Sequence, residues 1–113
     1  NVTLTRTIDT TGYEDLALLV TGRAISLESF QGETFFLEYS TDGGSNWTVL
    51  DSGTNDQRLE AFVSLPAAAA DNPDFTVRGR VTEFSRNDEY ARIDMLHVVG
   101  VAIPPAGSVL IIE

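Results

Sequence analysis

The chain has no cysteine and no lysine. Without cysteine there is no disulfide, no thiolate metal site and no thiol nucleophile. Without lysine, each of the 7 basic residues is an arginine, at positions 6, 23, 58, 78, 80, 86 and 92, against 17 acidic residues and a formal net charge of -10. A field of that sign repels phosphate backbones, so no nucleic-acid partner is expected. It attracts divalent cations, and it also simply keeps a domain in solution. Histidine occurs once, as His97, so a zinc site lacks its other nitrogen and sulfur ligands. Apolar runs fall short of the roughly 18 residues that cross a bilayer as a helix, and no basic-then-apolar leader opens the chain, so membrane insertion is not expected. Helix is scarce too: only Ala67 to Asp71 has helical composition, and Pro66 and Pro73 confine it to about one turn.

What remains is strand. With 113 residues the chain is long enough for one two-layer core. Apolar runs at Val2–Ile8, Leu16–Ser26, Thr34–Ser40, Trp47–Asp51, Arg58–Leu65, Phe75–Glu83 and Ala91–Ala102 are punctuated by Gly, Asn, Asp and Pro. Leu59, Ala61, Val63 and Leu65 alternate with Glu60, Phe62 and Ser64, so one face of that strand is dry and the other mostly wet. Phe75, Val77, Gly79 and Val81 alternate in the same way with Thr76, Arg78, Arg80 and Thr82, and Leu37 and Tyr39 alternate with Glu38 and Ser40. The pattern predicts an all-β fold, an antiparallel β-sandwich of jelly-roll type with about seven or eight strands and at most one helical turn. Residues 1–102 form the module. Residues 103–113, opening Ile103-Pro104-Pro105, read as a stiff Pro/Gly tail toward neighbouring domains, with Val109 to Ile112 either a last short strand or a remnant.

The most specific local signal is Ser40-Thr41-Asp42-Gly43-Gly44-Ser45-Asn46-Trp47. Asp accepts hydrogen bonds from amides just ahead of it, Gly supplies backbone angles closed to other residues, and Trp caps the loop with its ring. The spacing resembles the Asp-box, Ser-x-Asp-x-Gly-x-x-Trp, a hairpin found in sialidase propellers and, singly, in secreted bacterial β-sandwich modules. One copy cannot build a propeller. Taken with Leu4–Asp9, Leu37–Gly44, Phe75–Val81 and Ile93–Val98, the chain resembles secreted bacterial jelly-roll accessory modules related to MAM-like and galactose-binding-like carbohydrate-binding domains. That resemblance implies a non-catalytic extracellular module. It also implies a structural calcium, with Asp94 a ligand by its place in the final strand.

Several groups qualify as sites. Asp42 either caps its own turn or ligates calcium, with Asn46 the other side chain at hand; Trp47 either plugs the hairpin or stacks on a sugar. Arg86-Asn87-Asp88-Glu89-Tyr90 places two acids, an amide and an aromatic on one loop, either a hard-cation site through Asp88 and Glu89 or a solvated acidic turn. Asp94 interrupts an apolar strand and needs a partner, calcium or an arginine such as Arg92. Arg23, Arg78 and Arg80 fall on the off-core phase of their strands with Glu38 and Thr21, a polar face suited to hydroxyl-rich or acidic sugars, or else to cross-strand pairing. No nucleophile elbow, phosphate loop or isolated carboxylate pair is present, so no enzyme activity is expected. The expected function is recognition of glycan or a cell-surface ligand through Arg23, Glu38, Arg78, Arg80 and Tyr90, with calcium as cofactor, in a secreted or surface protein. The alternative is a structural spacer or adhesin repeat without a ligand.

Overall fold

The computed structural model describes residues 1–105. Val109–Ile112 therefore lies outside the described residues. Among them run seven strands: β1 (Val2–Ile8), β2 (Tyr13–Ile25), β3 (Phe35–Ser40), β4 (Thr48–Gly53), β5 (Arg58–Ser64), β6 (Phe75–Val81) and β7 (Tyr90–Ala102). Helical structure is limited to two 3-10 turns, Ser29–Gln31 and Ala67–Ala69. The strands form an antiparallel four-stranded sheet, β1-β6-β3-β4, and an antiparallel three-stranded sheet, β5-β2-β7. The fold is the predicted all-β sandwich. β3 pairs β4, β2 pairs β5 and β1 pairs β6, so the first six strands are one long hairpin rolled into two layers, as in a jelly roll; β7 then joins the other side of β2.

Period-2 alternation decides which face is buried. Leu18 and Val20 of β2, Leu37 of β3, Leu59 of β5, and Phe75 and Val77 of β6 all point between the sheets and are buried. Phe35 sets the spacing between the layers. A Cβ on Gly79 would lie 2.8 Å from its ring and one on Gly22 3.2 Å from it, and the latter would also meet the Arg92 carbonyl at 2.5 Å. The ring therefore occupies room that only glycine leaves on each sheet. Gly22 also marks a bulge, because the β2–β7 register shifts between Thr21 and Gly22.

With four strands over three, β1 overhangs. Its register pairs Val2 with Val81 and Leu4 with Gly79, both on the inward phase, yet Val2 is 55% and Leu4 65% exposed. On the facing strand, the inward residues Ala91, Ile93, Leu96 and Val98 of β7 are only partly buried. The sandwich is thus closed on its β4/β5 side and open along β1 and β7.

Candidate functional site

The Asp42 hairpin is built from its own polar groups. The Ser40 hydroxyl donates to Asp42 Oδ1 at 2.7 Å and accepts from the Gly44 amide at 2.9 Å. Asp42 also accepts from the Ser45 and Asn46 amides and from the Asn46 side chain, while Trp47 Nε1 donates to the Gly44 carbonyl at 3.0 Å. The Asn46 and Ser40 side chains and the Asn46 amide hold the Asp42 carboxyl far below the usual carboxylate range. Gly43 and Gly44 take φ of 71° and 100°, the left-handed region that a side chain would strain. Ser40, Asp42, Gly44 and Trp47 thus join in one closed turn, and both Asp42 oxygens are already engaged.

Trp47 also reaches sheet β1-β6-β3-β4. The Arg78 guanidinium lies 3.7 Å above its ring centroid, and Arg80 sits 4.2 Å over Phe36. Both arginines converge on one acid: Arg78 Nε to Glu38 Oε1 at 3.0 Å and Arg80 Nε to the same oxygen at 2.8 Å. Glu38 is 3% exposed. Burial acts to raise its pKa, but the Arg80 and Arg78 hydrogen bonds and charges outweigh it and leave it lowered. The expected shared face of Arg23 with Arg78, Arg80 and Glu38 needs correction: Arg23 belongs to β2, on the other sheet. Alternation places each residue on its strand's wet phase but says nothing of which layer the strand joins.

On the outer face of β5-β2-β7 the register sets Arg23 directly between Arg58 of β5 and Arg92 of β7. Farther along the same face come Thr21 between Glu60 and Met95, then Leu19 between Phe62 and His97. Phe62 is 75% exposed and Met95 and Val99 are about half exposed, although the opposite side of the same strands is core. Tyr90 lies at the Arg92 end, opposite Ile25. Arg58 pairs with Glu60 at 3.1 Å and Arg92 with Asp94 at 2.7 Å; Arg23 makes no ion pair among the described residues. Asp94 is thus a rim residue answered by Arg92, the neighbour that sequence reasoning offered as one of two partners.

The third cluster lies under the loop before β7. One carboxylate oxygen each from Glu28, Glu33 and Glu89 falls within 4.8 Å of the others. Glu33 and Glu89 are buried. Glu33 accepts from the Glu28 amide at 2.9 Å and from the Ser85 hydroxyl; Glu89 accepts from the Ser85 and Arg86 amides at 2.5 and 2.7 Å. Burial works to raise the Glu89 pKa, while the side-chain interaction with Glu33 and the hydrogen bonds donated by those amides bring it down overall. Arg86 Nε approaches Glu28 Oε1 at 3.1 Å, yet not in line for a hydrogen bond, so that enclosed oxygen has no donor. Of the three expected metal ligands, only Glu89 belongs to this cluster; Asp88 is exposed and pairs with Arg86.

Phe62, Arg58, Glu28 and Glu33 were not singled out as site residues by sequence reasoning, and Arg92 was offered only as a partner for Asp94. An aromatic on the wet phase of β5 was a visible signal for Phe62. The arginine row and the acid trio depend on register and on loops distant in sequence. Comparison with protein-family models, curated proteins and solved structures finds no match for this chain. Among the described residues no helix is long and apolar enough to cross a membrane.

Proposed function

We propose that this chain is a non-catalytic binding module of an extracellular protein, taking a glycan or another cell-surface ligand on the outer face of β5-β2-β7. One observation carries the reading: Phe62, 75% exposed, stands with Leu19, His97, Met95 and Val99 on the solvent side of a sheet whose other side is core. Contiguous apolar surface of this kind marks an interaction site, and a ring face suits the apolar face of a sugar. Placement outside the cell follows from the resemblance to secreted jelly-roll modules. The non-catalytic reading rests on the carboxylates: in the cluster of Glu28, Glu33 and Glu89 found among the described residues, Glu33 and Glu89 are occupied by loop amides.

A glycan array probed with the full chain and with Phe62→Ala tests this. Binding that Phe62→Ala abolishes, with an unchanged fold, supports it. Silence of the wild type selects the spacer reading, which the self-paired Arg78, Arg80, Glu38 and Trp47 on the other sheet favour.

Calcium belongs to the same proposal, as the cation that stiffens the Glu28, Glu33 and Glu89 end. Those oxygens are hard donors, and burying like charges together costs stability unless a proton or a cation intervenes. Glu28 Oε1 accepts no hydrogen bond although the Arg86 guanidinium stands 3.1 Å away, and a bound ion would compete with Arg86 for it. Calcium should raise the melting temperature of the wild type by several degrees and leave Glu33→Gln unmoved. An unchanged wild-type melting temperature in calcium and in chelator would discard the ion.

A further inference from the structure

We propose that the ligand of the β5-β2-β7 face is an acidic saccharide whose carboxylate is gripped by Arg23; this rests on the binding reading above. The case begins with a cost. Cross-strand partners on one face stand with Cβ atoms about 4.5–5.5 Å apart, and like charges placed so are destabilising. Arg23 is flanked in this way on both sides, by Arg58 and by Arg92. A chain of net charge -10 with 17 acidic residues nonetheless sets three of its 7 cations in one row. Elsewhere on the molecule the same chain resolves such crowding internally, as when Arg78 and Arg80 share Glu38. Here no carboxylate answers the central guanidinium among the described residues.

The two flanking pairs do not remove the excess. Glu60 takes Arg58, and Asp94 takes Arg92, with side chains 42% to 64% exposed. Ion pairs this exposed are weak and readily exchange their partners. A guanidinium such as that of Arg23 can take an arriving carboxylate by two parallel hydrogen bonds, and the register places a further arginine on either side of it.

The apolar end of the site supplies the rest. Leu19, between Phe62 and His97, lies four residues from Arg23 on β2, roughly 13 Å at strand rise. That is the reach of a short oligosaccharide rather than of a lone anion. One ring can stack on Phe62 while the acid group of another ring reaches the arginine row, crossing the Glu60, Thr21 and Met95 row between them. Tyr90, half exposed beyond Arg92, extends the rim.

The test titrates the full chain with a defined oligouronate, with the same oligosaccharide after reduction of its carboxyl groups to alcohols, and with a sulfated oligosaccharide of equal length. Calorimetry reads affinity, and a thermal melt of each variant confirms its fold. Loss of the carboxylate, or Arg23→Ala, should weaken binding by about 10- to 100-fold, the worth of a charge-assisted pair. Arg23→Lys should not restore it, and Phe62→Ala should weaken the acidic and reduced sugars alike. Equal affinity for the acidic and reduced sugars overturns the carboxylate assignment while leaving the binding reading intact, as does a preference for the sulfated one. Failure of all three sugars to bind overturns the acidic-saccharide proposal, and silence of the wild type on the glycan array overturns the binding reading with it.

Discussion

Both sheets carry arginines on their outer faces, and the two faces treat them in opposite ways. On β1-β6-β3-β4, Arg78 and Arg80 lie over aromatic rings and bond one buried acid, so the cations brace the sheet. On β5-β2-β7, Arg58, Arg23 and Arg92 stand side by side, the central one without an acid among the described residues and the outer two with exposed partners. Charge satisfied within the chain contributes to folding; charge left unsatisfied is available to something outside it. The contrast is what supports the proposal that one face is structural and the other serves recognition.

The largest expected effect is on the braced face. Glu38→Gln leaves two partly buried guanidiniums without their anion, and removal of one partner from a buried pair is strongly destabilising, here about 3 kcal/mol in urea denaturation. The same carboxylate sets a pH dependence. Its folded pKa lies below the ordinary value of 4.5, so its contribution is fully present above that value and is lost as the pH falls through the folded pKa. A melting-temperature profile of the wild type should therefore fall below about pH 4.5 more steeply than that of Glu38→Gln. Parallel profiles would show that the brace contributes nothing.

Next in size is Trp47→Ala, which removes the ring beneath Arg78 and the hydrogen bond to the Gly44 carbonyl. About 1–2 kcal/mol should be lost. The hairpin should persist through the Asp42, Ser40 and Asn46 bonds, visible as slow exchange of the Asn46 amide. Rapid exchange of that amide in the variant would mean that Trp47, rather than Asp42, holds the turn.

These two predictions fall where the sequence was most readable. The strands were legible because turn residues punctuate the runs and period-2 alternation marks β3, β5 and β6: Val2–Ile8 matched residue for residue, and the others shifted by a few residues at their ends. The Asp42 turn was legible because its partners lie within a few positions of one another. The other face was not. Alternation sends Arg23 and Arg78 alike to solvent, but only the sheet order separates them, and the arginine row exists only once β5 and β7 take their register on β2. Glu28, Glu33 and Glu89 meet through loops, where no periodicity operates. The β2–β7 register shift beside Gly22 also re-aims the strand around Asp94, a change that a strand pattern does not carry.

On the face proposed for recognition, substitution should affect binding without affecting folding. Phe62 is 75% exposed, so Phe62→Ala should change stability by no more than about 0.5 kcal/mol. A loss comparable to that of Trp47→Ala would make Phe62 a structural side chain and erase the difference between the faces.

The smallest effect, and the one that separates the faces most sharply, is that of Arg23→Ala. If the row is strained by like charge, shortening its middle member relieves two unfavourable cross-strand neighbours and should leave stability unchanged or raised by a few tenths of a kcal/mol, less so at high salt. Arg80→Ala, on the braced sheet, strips Glu38 of a hydrogen-bonded cation and should cost stability at any salt concentration. Measured side by side in urea at low and high salt, the two arginines should thus move in opposite directions. A stability loss for Arg23→Ala equal to that for Arg80→Ala would show that the row braces its sheet after all, and the reason to look there for a ligand's carboxylate would disappear.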